Sequence, residues 1–245
     1  MKEITSDQNQ NIKLAASLNT KQGRKKSSSF LIEGETLVKE ALKKGIELEA
    51  LYVLDESSTI GISVETFTIP ENLMKKISTL ETTPNMVAIA KQFTKEEPKE
   101  NNFILYLEKI QDPGNLGTII RTAFAAGVSS IYLSPGCADI YNPKTVRSTM
   151  GSLFYGHIKT DVKLEDLPRG YQTIASSPRG EKLYSDLKLK EKLILMIGNE
   201  ANGLDEKTMS TCSDLVKIPM KNGIESVNAS SAASILLFEI SKKLN

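Results

Sequence analysis

Apolar residues along the chain fall into two patterns: spaced as on one face of a helix, or gathered into short unbroken runs. Residues 9–20 place Ile12, Leu14, Ala15, Ala16 and Leu18 at helical spacing. The run Phe30-Leu31-Ile32 predicts a strand. Residues 35–44 return to helical spacing with Leu37, Val38, Ala41 and Leu42, and Gly45 is a natural stop because it tolerates the left-handed backbone that closes a helix. Strands over 48–54, 64–69 and 86–90, with a helix over 71–77, complete this half. Strand and helix alternate throughout, which predicts a small α/β/α unit.

The stretch 93–102 interrupts the pattern. It is charged, contains Pro98 and has no apolar period, so it reads as a linker. The chain thereby divides into an N-terminal domain over 1–92, the linker, and a C-terminal domain over 103–245. Runs at 103–107, 130–133, 171–175, 193–197 and 215–218 predict strands in the second domain. Leu193 to Ile197 is apolar at every position, as in a parallel strand covered on both faces. A helix capped by Asn115 is predicted to run to Ala126, closed by Gly127, and a longer one over 227–243 carries Ala232, Ile235, Leu236 and Ile240. The fold class is α/β.

Composition narrows the function classes. Apolar residues make up 40% and charged residues 25%, as in ordinary globular proteins. No apolar run approaches the roughly 18–20 residues of a membrane span. The opening residues lack the apolar core of a secretory signal, so the cytoplasm is the expected location. Two distant cysteines, Cys137 and Cys212, and a single histidine, His157, offer neither a disulfide framework, a metal-ligand set nor a Ser-His-Asp triad. Net charge is +1, but Lys2, Lys13, Lys21, Arg24, Lys25 and Lys26 against Glu3 and Asp7 give the first thirty residues +4, leaving −3 for the rest. A basic terminus attracts phosphates; it is equally consistent with a solvated surface.

Three polar loops follow predicted buried strands, where open α/β sheets gather their ligands. The first, Asp112-Pro113-Gly114-Asn115-Leu116-Gly117, leads into a helix carrying Arg121. It lacks the GxGxxG dinucleotide pattern. The second, Gly198-Asn199-Glu200-Ala201-Asn202-Gly203, offers exposed amides and a carboxylate that can accept hydrogen bonds. The third runs from Ile218-Pro219-Met220 to Glu225-Ser226-Val227-Asn228-Ala229-Ser230 and opens the last helix with small hydrogen-bonding groups. Taken singly, each is also explained as a turn or a helix cap.

Taken in order, the segments NLGTIIRTA, GNEANGL and IPM…ESVNASSAAS resemble the three signature motifs of the SpoU, or TrmH-like, branch of the SPOUT RNA methyltransferases. The segment from Asn142-Pro143-Lys144 to Met150-Gly151-Ser152 resembles the family's stretch between the first two motifs. Residues 10–90 resemble its N-terminal substrate-binding domain, which is similar to a ribosomal protein. The resemblance implies an RNA ribose 2′-O-methyltransferase working as a homodimer, with the C-terminal chain threaded into a deep trefoil knot. It also implies bound S-adenosylmethionine against Gly198, Ile218, Met220, Val227 and Asn228, no metal and no membrane. Val227 stands where relatives usually carry leucine, and residues 82–86 stand where they commonly carry glutamine and glycine.

By the same resemblance, Arg121, Asn115, Glu200, Ser226 and Asn228 form the catalytic set, with Arg121 acting in its own site or its partner's. A guanidinium stays charged at physiological pH, so Arg121 is better suited to clamp a phosphate and stabilise a developing alkoxide than to remove a proton. The proton acceptor is then a phosphate or water. Lys21, Arg24, Lys25, Lys26 and Arg147 are the expected RNA contacts. Ribosomal RNA is the favoured substrate. The alternatives are transfer RNA, a non-catalytic ribosome-assembly factor that keeps the fold, and a nucleotide-dependent oxidoreductase; the missing GxGxxG argues against the last.

Overall fold

The computed structural model describes residues 2–55 and 63–244. It forms two compact units, one comprising Met1–Phe93 with Asp139–Phe154, the other Thr94–Ala138 with Tyr155–Asn245. Residues 139–154, expected within the C-terminal domain, thus pack with the N-terminal unit.

The first unit is built on a five-stranded sheet in the order β1 (Lys2–Glu3), β4 (Thr66–Thr68), β3 (Leu48–Val53), β5 (Met86–Lys91), β2 (Ser29–Glu33). β3 runs parallel to β4 and antiparallel to β5, which is antiparallel to β2. α1 (Gln10–Ser17) and α4 (Glu71–Ile77) cover one face, burying Ile12, Ala15, Leu73, Met74 and Ile77 against Leu31, Tyr52, Phe67 and Ile89. α3 (Glu35–Lys43) packs on β2 and β5 through Leu37, Val38 and Ala41. α6 (Pro143–Ser148) also packs on β2, and the Phe30 ring lies 4.6 Å from that of Tyr141. A short helix absent from the apolar pattern, α2 (Lys21–Ser27), is capped by the Thr20 hydroxyl, which accepts from the Gly23 N–H at 3.0 Å. Its sequence KQGRKKS has no apolar residue, so periodicity could not reveal it.

The second unit is an all-parallel seven-stranded sheet in the order β10 (Lys182–Leu183), β12 (Asp214–Lys217), β9 (Gln172–Ser176), β11 (Leu193–Ile197), β6 (Phe103–Leu107), β7 (Ser130–Leu133), β8 (His157–Lys159). β6 and β11, at its centre, are buried at every residue, which explains their unbroken apolar runs. Tyr106, Ile194 and Met196 join Tyr132, Val162 and Leu204 in one core layer. α5 (Pro113–Ala125) and α8 (Ala229–Leu244) pack on each other, with Ile119, Ile120, Leu236, Leu237 and Ile240 buried. α7 (Glu206–Thr211) is held by the buried Glu108 carboxylate, which accepts from the Asp205 N–H at 3.1 Å and the Thr208 hydroxyl at 3.0 Å.

Candidate active site

Three adjacent parallel strands, β12, β9 and β11, direct their carboxyl ends at one cavity of about 630 Å3. Its walls come from residues 176–179 after β9, 197–204 at the end of β11, and Ile218, Met220, Glu225, Ser226 and Val227 after β12. This is the placement that parallel α/β sheets favour, because every loop at that end follows a strand on the same edge. Ile197, Leu204, Met209, Ile218 and Met220 make much of the lining apolar, while Glu200 and Glu225 add two carboxylates.

Backbone hydrogen bonds shape the loop after β11. Asn199 and Gly203 exchange N–H···O bonds of 2.9 Å in each direction. The Asn199 side-chain oxygen accepts from the Ala201 N–H at 2.9 Å, and its Nδ2 donates to the Lys109 carbonyl at 2.8 Å. Gly198 is required by the close return of the chain: a Cβ there would lie 2.2 Å from both Gly203 C and Leu204 N.

A chain of side-chain bonds joins all three motif loops. Asn115 Nδ2 donates to Glu200 Oε1 at 3.1 Å. Asn228 Nδ2 donates to Asn115 Oδ1 at 3.1 Å. Asn228 Oδ1 accepts from the Ser230 N–H at 2.8 Å and its hydroxyl at 2.7 Å, closing the N-terminus of α8. The predicted cap of α5 needs correction. Asp112, not Asn115, is the cap, accepting from the Asn115 N–H at 2.8 Å, with Pro113 at the first helical position. Asn115 therefore keeps its side chain for the bridge.

The cavity lining contains Gly198, Glu200, Ile218, Met220, Ser226 and Val227 from the predicted set, while Asn115 reaches it through its bond to Glu200, and Asn228 through Asn115. Ser226 and Val227 lie in an exposed segment. Arg121 is exposed on α5 and does not line the cavity, and its side chain makes no hydrogen bond or ion pair among the described residues. The loop 176–179 was not singled out from sequence. Its signal was available: Ser-Ser-Pro-Arg-Gly follows a predicted strand, as the other loops do.

Among the expected RNA contacts, Lys21, Lys25 and Lys26 are exposed on α2. Arg24 is corrected. It is 2% exposed, and its guanidinium donates to Asp139 at 2.7 and 2.8 Å and to the Leu18 carbonyl at 2.8 Å, leaving no free edge for a phosphate. Arg147 is likewise engaged, donating to Glu33 and to Thr79 Oγ1. The buried Glu33 carboxylate also accepts from the Ser78 hydroxyl at 2.8 Å and the Thr79 N–H at 2.6 Å. Both arginines hold residues 139–154 to the first unit.

Comparison with known proteins bears on this geometry. The profile of the SpoU rRNA Methylase family matches residues 102–238, and that of the MRM3-like substrate binding domain matches residues 9–88. The chain is 33% identical to the 23S rRNA (guanosine(2553)-2′-O)-methyltransferase RlmP of Bacillus subtilis (strain 168), over 98% of this chain and 99% of that protein. It is similar to the crystal structure of an AdoMet-bound rRNA methyltransferase from Sinorhizobium meliloti, with a TM-score of 0.89 and 31% identity over 100% and 98% of the two chains. A crystal structure described as an RNA 2′-O ribose methyltransferase matches with a TM-score of 0.85 and 28% identity over 98% of each chain. With the family profile spanning more than half of its length, this chain belongs to the SpoU rRNA methylase family.

Proposed function

We propose that the chain transfers a methyl group from S-adenosylmethionine to a ribose 2′-hydroxyl of ribosomal RNA. The observation that carries this reading is the Glu200–Asn115–Asn228 chain, which fixes three loops about the cavity formed by β9, β11 and β12. Relatives along the whole chain bear that activity in their names, and ribosomal RNA is the substrate named for the Bacillus relative.

The residues present fit the cofactor. A volume of about 630 Å3 is ample for a nucleoside-sized ligand, and apolar walls with a few polar groups are what such ligands require. Gly198, Ile218, Met220 and Val227 would hold it, with Asn228 fixing the loop behind them. Two carboxylates in the lining suit a cationic sulfonium. Bound there, S-adenosylmethionine supplies an electrophilic methyl group. Glu200, Asn115, Ser226 and Asn228 orient the groups that meet it. Arg121, whose side chain has no partner among the described residues, clamps the RNA phosphate and stabilises charge developing on the 2′-oxygen.

Because Arg121 does not line the cavity of its own chain, we assign it to the site of a second copy. Ile235 and Phe238, one turn apart on α8 and 37% and 54% exposed, supply an apolar strip for a homodimer. The N-terminal domain selects the RNA, with Lys21, Lys25 and Lys26 on its phosphates. Threading of the segment after β11 into a knot, and action in the cytoplasm, complete the reading.

The test is methylation of RNA from a strain lacking the protein. Purified enzyme should restore one 2′-O-methyl mark in ribosomal RNA. Transfer to tRNA alone would overturn the choice of substrate, and no transfer to either the choice of reaction.

A further inference from the structure

We infer that Arg179 receives the α-carboxylate of the methionine portion of the cofactor. The inference rests on the reading of this cavity as the S-adenosylmethionine site. Of the described residues lining the cavity, Arg179 alone is basic, against the carboxylates of Glu200 and Glu225. Two acidic groups favour the sulfonium and the ammonium of the ligand but repel its carboxylate, so a bound amino-acid tail needs a cation at the wall.

The turn that carries Arg179 is held firmly. Gly180 N–H donates to the Ser177 carbonyl at 3.0 Å, and Arg179 N–H donates to Ser177 Oγ at 3.2 Å. Ser177 is buried, and Pro178 fixes one further torsion. Gly180 lies so close to β12 that a Cβ would fall 2.4 Å from the Val216 carbonyl carbon. The backbone is therefore set while the side chain is not. The Arg179 side chain is 72% exposed, and its one partner among the described residues is Glu206, 82% exposed, at 2.9 Å. An ion pair between two solvated groups contributes little, so Arg179 can exchange Glu206 for the ligand's carboxylate at small cost. A guanidinium presents the paired N–H groups that match a carboxylate.

Calorimetry of the full-length protein with S-adenosylmethionine and with 5′-methylthioadenosine, which lacks the amino-acid portion, separates the possibilities. Arg179→Gln should weaken S-adenosylmethionine about tenfold and leave methylthioadenosine unchanged. Arg179→Lys should recover part of the loss. Glu206→Gln should bind S-adenosylmethionine as well as or better than wild type. An equal loss for both compounds, or weakened RNA binding with the cofactor's affinity intact, would overturn the assignment. Failure of the wild type to bind either compound would instead sink the cofactor site itself.

Discussion

Arg24 and its neighbours Lys25 and Lys26 look alike in sequence, yet the fold gives them different work. Arg24 projects inward from α2 onto Asp139 and the Leu18 carbonyl, while the lysines face solvent. Arg24→Gln should therefore act on stability. Removing one member of a buried pair costs about 3 kcal/mol, to be read from the urea midpoint, while the salt dependence of RNA binding should not change. A lowered salt slope would return Arg24 to the RNA surface. Cys212 illustrates burial acting on chemistry. Desolvation, with the Glu108 carboxylate adding to it, pushes its thiol up to about 11. At pH 8 the reactive thiolate is then on the order of one part in a thousand. Iodoacetamide should leave Cys212 unmodified in the native protein and label it on denaturation; rapid native labelling at pH 8 would contradict this.

At the scale of elements, apolar periodicity revealed what is buried and little else. β6 and β11 stand where the unbroken runs placed them, because strands covered on both faces have no polar positions to blur the pattern. α2, α6 and α7 went unrecognised. Unlike the equally short α4, with Leu73, Met74 and Ile77, they carry at most one large apolar side chain, Val146 in α6 and Met209 in α7, so no apolar repeat marks them. The site was legible through motif order, whereas the bridge through Asn115 was not, since it depends on Asp112 taking over the cap. α2 also carries the clearest test of RNA binding. Replacing Lys21, Lys25 and Lys26 together by glutamine should lower the slope of log affinity against log salt by about two, since each phosphate contact contributes roughly 0.7–0.9. An unchanged slope would place the RNA elsewhere.

For the whole molecule, the position of Arg121 away from the cavity of its own chain makes activity a property of two copies in the proposed dimer. Arg121→Ala alone should lower turnover about 10²–10³-fold, the usual loss when one group that stabilises developing charge is removed. Gly198→Val should spoil the cavity by forcing apart the loop that lines it, because even a Cβ meets the Gly203 and Leu204 backbone at 2.2 Å. Mixed and re-assembled, the two inactive chains should recover about a quarter of wild-type activity, since half of the dimers are mixed and each holds one complete site. No recovery in confirmed mixed dimers would confine Arg121 to its own site.

Because residues 139–154 pack with the N-terminal unit, the polypeptide passes between the units three times, at 93–94, 138–139 and 154–155. Severing the charged stretch 94–101 cuts only the first of these passages. The N-terminal fragment then keeps Glu33 on Arg147, Arg24 on Asp139 and Phe30 on Tyr141. Expressed as separate pieces split at residue 97, the two halves should find each other and co-purify, as in a self-assembling reporter. Gene fusion or domain exchange at that same point would leave each product carrying an orphaned helix or an uncovered sheet, so a cut in the apparent linker does not separate the two units cleanly.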